Sequence, residues 1–207
     1  MKKFLSAALL LASLTGCSIY REATSTTSFT STDWHQIATD GDRERLRKWR
    51  RAWDEALPLA KAADPQAIAA EPLLFDPDRA LGDAAIPAGT YRCKVYKLGK
   101  MGSGLSDFAA FPGFECVVVA DGDIISFHKM TGPQRPTGLL FTDTPARQVF
   151  LGTLILGDET SPLRYGLDPT RDMAGYVERI GDKRWRLVFP YPRFESKLDI
   201  IELVPAA

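Results

Sequence analysis

Histidine, cysteine and carboxylate side chains are the groups that could carry chemistry in this chain, and their spacing limits what that chemistry is. The two histidines, His35 and His128, stand in different segments with no cysteine beside them. A zinc site needs three or four converging nitrogen or sulfur ligands, so no metal or other cofactor is expected. His128, inside Ile125-Ser126-Phe127-His128-Lys129, reads as strand surface or a satisfied core residue. No G-x-S-x-G elbow occurs, and the glycines from Gly99 to Gly104 lack the Gly-Lys-Ser/Thr of a phosphate cradle. Glu178, Glu195, Asp199 and Glu202 could pair for acid–base work. Scattered acids in strand-like runs are more often solvated or matched to arginine, so no catalytic residue is assigned.

The thiol with the most informative position is Cys17. Lys2 and Lys3 form a basic start, and Phe4 to Leu14 is an apolar run of eleven residues. At ~1.5 Å per residue this run is too short to cross a ~30 Å hydrocarbon core, so residues 1–16 read as a signal peptide. Leu14-Thr15-Gly16-Cys17 resembles a bacterial lipobox, whose cysteine receives lipid and becomes the new N-terminus. An ordinary secretory signal cut elsewhere is the alternative. The resemblance implies a bacterial envelope lipoprotein, held permanently at a membrane by palmitate-type chains on Cys17, with its domain in the periplasm. Ser18, where an Asp would signal inner-membrane retention, favours the outer membrane.

Removing that leader from the 207 residues leaves 191, enough for one domain with a sizeable core. Losing Lys2 and Lys3 takes the 26 basic residues to two fewer than the 26 acidic ones, a net charge near −2. There is no basic excess to neutralise phosphates, so nucleic acid is not an expected partner. Cys93 and Cys116 are then an even pair in an oxidising compartment. Each lies in a strand-like run, and two consecutive antiparallel strands would bring them within bridging distance. A disulfide there would contribute roughly 3 kcal/mol through loop closure. Two free buried thiols are the alternative.

The elements that position these residues follow from the patterning. Residues 17–32 are rich in Ser and Thr and read as a tether with a reach of ~20 Å. Residues 33–72 are helical in pattern. Thr39 or Asp40 can cap, and Leu46, Trp49, Trp53 and Leu57 form one apolar stripe opposite Arg43, Arg47, Lys48, Arg50 and Arg51. Such a basic amphipathic helix could lie on lipid; packing on its own domain through the two tryptophans is the preferred reading. Pro58 is expected to end or kink it, and Asp64-Pro65 to restart a short helix.

From Gly89 the helical period stops. Eight β-rich runs follow, at about 90–98, 113–119, 123–130, 137–142, 148–156, 173–180, 184–190 and 197–204. Asp121-Gly122 and Gly181-Asp182 mark tight hairpins. Gly152 and Gly175 sit inside strands, where glycine often marks a bend at a barrel corner. The chain is therefore expected to be mainly β with N-terminal helices (α+β). An eight-stranded antiparallel up-and-down β-barrel, lipocalin-like, occupies 89–205 within a single domain of 33–205, with a two-sheet β-sandwich as the competitor.

In such a barrel successive connections alternate between the two ends. The long ones, 99–112, 131–136, 157–172 and 191–196, would all fall at one end, and the short turns at the other. Long loops on a rigid scaffold concentrate function, and small barrels bind at their mouths. Phe108, Phe111, Arg135, Arg164, Tyr165, Arg171, Tyr191 and Arg193 are the candidate mouth residues, with Asp168, Asp172 and Glu195 beside them. Aromatic and arginine side chains suit an anionic or amphipathic partner. The expected partner is a small molecule at that mouth or, alternatively, an envelope protein docking on the same loops.

Ile86-Pro87-Ala88-Gly89-Thr90-Tyr91-Arg92-Cys93, Gly113-Phe114-Glu115-Cys116, and Trp185 to Pro192 followed by Glu195 to Pro205 form an ordered set of motifs. Together with Trp34 and the helix after it, they resemble a bacterial family known as domain of unknown function 4893, over roughly residues 33–205. The resemblance implies an exported bacterial protein and no particular activity.

Overall fold

The structure, a computed structural model, describes residues 33–102 and 106–206. The leader, Cys17 and the Ser/Thr-rich stretch lie outside the described residues. Four helices come first: α1 (Trp34–Ile37), α2 (Asp40–Arg47), α3 (Trp49–Ala63) and α4 (Pro65–Ala70). Nine strands follow: β1 (Gly89–Lys100), β2 (Phe108–Ala110), β3 (Phe114–Asp121), β4 (Ile124–Lys129), β5 (Gln134–Thr144), β6 (Arg147–Leu156), β7 (Asp172–Gly181), β8 (Arg184–Pro190) and β9 (Ser196–Pro205).

From β3 to β9 each strand pairs antiparallel with the next, and β9 returns to β1 from Tyr91↔Pro205 to Lys100↔Ser196. The sheet is thus a closed eight-stranded barrel with one extra strand, not a sandwich. β1 shares one edge between two neighbours: its first half pairs with β3, its second half with β2. The connection expected at 99–112 therefore contains a strand of three residues, too short to show any alternation.

Alternation sorts the barrel. One face of every ladder points inward and carries Tyr91, Cys93, Val118, Phe127, Phe150, Val177, Trp185, Leu187 and Leu203. At the short-turn end these side chains fill the interior. Tyr91 and Trp185 meet edge to face at 6.2 Å, Phe150 does the same with Phe127 and Phe189, and Ile86 joins the same cluster. Cys93 and Cys116 form the disulfide that ties β1 to β3, with Cα atoms 5.9 Å apart and a sequence separation of 23.

The outer face of β5–β9 and β1 is covered by the helices. Trp34, Ala38 and Leu46 pack on Phe141, Val149, Leu151 and Ala174. α3 packs on Tyr96, Leu98, Ile180, Val188, Leu198 and Ile200. Its buried face is Ala52, Trp53, Ala56 and Ala60, so three of the four residues are alanines that let the helix backbone approach the strands. The expected stripe is thereby corrected: Leu46 belongs to a separate helix, and Trp49 and Leu57 are only partly buried. The continuous helical pattern breaks at Thr39, whose hydroxyl caps α2 through the Asp42 amide, and again at Lys48. α3 also does not stop at Pro58 but runs to Ala63. Proline forfeits only its own N–H bond to Asp54, and the alanine face keeps the helix seated.

Between α4 and β1 the chain is held by a buried cation. Arg186 on β8 is fully buried on the outer face. It bonds Glu178 through Nε at 2.8 Å and donates to the carbonyls of Leu74, Asp76 and Arg79 at 2.7, 2.7 and 3.0 Å. Its guanidinium lies over Trp53, and Glu178 takes Arg147 on its other side at 2.7 Å.

Candidate binding site

Toward the long-loop end the barrel interior is not filled. A cavity of about 200 Å³ opens there, reached by all four long connections through Phe111, Pro133, Thr170 and Arg171, and Pro192 to Glu195. Its walls are apolar where Val95, Phe114, Leu154, Met173, Phe189 and Ile201 face inward. Among them stand two inward lysines, Lys97 on β1 and Lys129 on β4.

Lys97 is matched by two carboxylates. Its Nζ lies 2.9 Å from Asp199 Oδ2 on β9 and 3.0 Å from Glu195 Oε2 in the β8–β9 loop. Asp199 also accepts the Ser196 hydroxyl. Burial works to lower the Lys97 pKa, but the two carboxylates outweigh it and raise it. Burial pushes the Asp199 carboxyl up against the pull of Lys97. The loop that carries Glu195 holds two non-glycine residues in the left-handed region, Tyr191 at φ 46° and Glu195 at φ 72°. Each such residue costs about 1 kcal/mol or more. Glu195 is held in that conformation by its salt bridge and by the Met101 amide bonding its carbonyl at 2.8 Å.

Lys129 is held differently. Its ammonium donates to the carbonyls of Thr131 at 2.6 Å and Gln134 at 2.9 Å, and sits 3.6 Å from the centre of the Phe114 ring. Burial pushes its pKa down to about 8, with the positive charges of Arg135 and Lys97 adding to the effect. The native state therefore releases a proton between about 8 and the 10.5 of an ordinary lysine, while the unfolded chain keeps it. Stability bound to this group is lowest below about pH 8 and rises through that interval. Against a Lys129→Met variant, wild-type stability should climb by 1–3 kcal/mol, to order of magnitude, between pH 7.5 and 10.5. Urea titrations at both pH values check this, and parallel curves would contradict it.

The candidate mouth residues separate into three groups. Phe111, Arg171 and Arg193 line the cavity, Arg171 being forked onto Glu159 at 2.8 Å to each oxygen. Arg135, placed by the structure at the start of β5 and not in a loop, and Arg164, in the β6–β7 loop, do not line the cavity. Arg135 donates to the carbonyls of Gly132, Gly157 and Glu159, and Arg164 is exposed. Phe108, Tyr165 and Tyr191 turn elsewhere. Phe108 packs outside the barrel on Phe75 and Tyr96, and Tyr191 packs against that same cluster. Tyr165 donates to Asp42 at 2.5 Å, clipping the loop to α2. Of the flanking acids, Asp172 lines the cavity and accepts the Gly166 amide, while Asp168 accepts the Thr170 amide in its own turn. Glu178 and Glu202 are taken by arginines on the outer face, Glu202 by Arg184. Lys97, Asp199 and Lys129 were not among the mouth residues expected from sequence.

Fold and site together define a small closed β-barrel with a ligand-sized, partly charged cavity at its loop end. The comparisons place it. A family model described as Domain of unknown function (DUF4893) matches residues 34–203, and the chain belongs to that family. A second model, Prokaryotic membrane lipoprotein lipid attachment site, matches residues 1–18. No described helix is long and apolar enough to cross a membrane. Neither the curated proteins nor the solved structures gave a match.

Proposed function

We propose that the chain is a lipid-anchored binding protein of the bacterial envelope, with its barrel in the periplasm and a small amphipathic ligand at the barrel mouth. The observation that carries this is the cavity: the short-turn end is packed with aromatic rings, while the loop end is left open and mostly apolar. A cavity of 150 Å³ holds benzene, so about 200 Å³ suits one ring or a short alkyl chain. The anchor follows from the lipid attachment site, and Ser18 supports outer-membrane sorting. The test uses octanoate, 1-octanol and octylamine as probes on the full chain. At least one should shift the Met173 methyl resonance, and a cavity-filling Leu154→Trp change should abolish the shift. No shift with any probe, or a shift that survives the substitution, overturns the reading.

A second reading, an interaction module for an envelope protein, draws on Leu163, Leu167 and Phe194. These three are exposed on the same long loops. Capture of one stoichiometric envelope partner, lost in an Arg164→Ala, Leu167→Ser double variant, would favour it.

A further inference from the structure

We propose that the ligand of this cavity is a monoanion, a single carboxylate on an apolar body of about ring or short-alkyl size, and that Lys129 receives the carboxylate. This rests on the binding reading above.

The charge pattern of the lining carries the inference. Four cations line the cavity: Lys97, Lys129, Arg171 and Arg193. Lys97 is saturated by Asp199 and Glu195, and Arg171 by Glu159. Among the described residues neither Lys129 nor Arg193 makes a salt bridge. Arg193 is exposed and solvated, whereas Lys129 is only 5% exposed. A buried cation without a counter-charge is costly, and an anion brought to it would relieve that cost. The ammonium has three donors. Two are given to the carbonyls of Thr131 and Gln134, which fix its position; the third has no hydrogen-bond acceptor among the described residues, and the Phe114 ring beneath the ammonium carries no net charge to neutralise it.

The rest of the lining limits the anion. Glu195 and Asp199 stand in the same cavity and repel a second negative charge, so a dianion such as an alkyl phosphate is disfavoured. Val95, Phe114, Leu154, Met173 and Ile201 offer an apolar body somewhere to go. A ligand with one acid group and an apolar remainder satisfies both halves of the wall.

The experiment titrates octanoate, 1-octanol, octylamine and octyl phosphate into the full chain held in nanodiscs, with empty nanodiscs as the blank. Octanoate should bind about tenfold or more tightly than 1-octanol, the factor expected of a charge-assisted hydrogen bond. Lys129→Met should erase that preference while still binding 1-octanol, and Lys129→Arg should retain it. Circular dichroism confirms that both variants fold. Equal binding of octanoate and 1-octanol, tighter octylamine or octyl phosphate, or a preference unchanged in Lys129→Met would each overturn the monoanion assignment and leave the binding reading standing. No binding of any probe would overturn both.

Discussion

Arg186→Met should destabilise the chain by about 3–5 kcal/mol, the cost of breaking a buried ion pair from one side. The guanidinium spends its donors on Glu178 and on three backbone carbonyls from Leu74 to Arg79. Methionine fills part of the volume and replaces none of those bonds. Glu178, 1% exposed, would keep only Arg147, and three carbonyls would be stranded. Lysine is no remedy, because a point charge cannot reach carbonyls and carboxylate along one planar fork. For a domain of this size the loss lowers the melting temperature by roughly 10 °C. Hydrogen exchange should show protection vanishing first in residues 74–79, the stretch that Arg186 holds. A melting temperature within two degrees of wild type would refute this account of the network.

Gly152→Val should cost about 4 kcal/mol, above the usual range for an overfilled core, because the atoms it meets are backbone. Gly138 and Gly152 face each other across β5 and β6. A Cβ on Gly152 would stand 2.2 Å from the Thr137 carbonyl oxygen, 2.7 Å from the Gly138 Cα and 2.6 Å from the Phe150 ring. The two glycines make the hollow that this ring occupies, and the ring in turn meets Phe127 and Phe189. Gly82→Ala is the control: its Cβ would meet nothing within 4 Å, and stability should stay within about half a kcal/mol. Equal melting curves for the two variants would show that the hollow relaxes freely.

Much of the barrel was legible in the sequence, for physical reasons. Alternation, paired with turns such as Asp121-Gly122, located the eight barrel strands and so the end at which the long loops gather. The Cys93–Cys116 bridge followed from neighbouring strands and compartment. β2 escaped because three residues carry no period. The helical segment misled because its large apolar residues suggested the buried stripe, whereas the close contact is made by Ala52, Ala56 and Ala60.

The site was half legible. The loops that reach the cavity are marked by their length, but no spacing or motif by itself singles out the inward lysines. Parity held the missing signal. Lys97 has the same parity as Cys93 and Val95, Lys129 as Phe127, and Asp199 as Ile201. Once one face of each strand is known to be interior, each of these charges is an interior charge. Phe108, Tyr165 and Tyr191 show the converse. They follow the composition of a mouth, but their contacts with α2, Phe75 and the α3 cluster are long-range and leave no local pattern.

The barrel interior is divided along its length, aromatic and closed below, open and charged above. That division separates the part of the interior that keeps the chain folded from the part left free to take the proposed ligand. If the cavity takes a ligand as proposed, substitutions in the upper half would alter the guest while the rings beneath still specify the same architecture. On the binding reading proposed above, such substitutions would change specificity without changing form. On that reading the fold alone would be a poor guide to the ligand, and the residues facing inward near the mouth would carry the information.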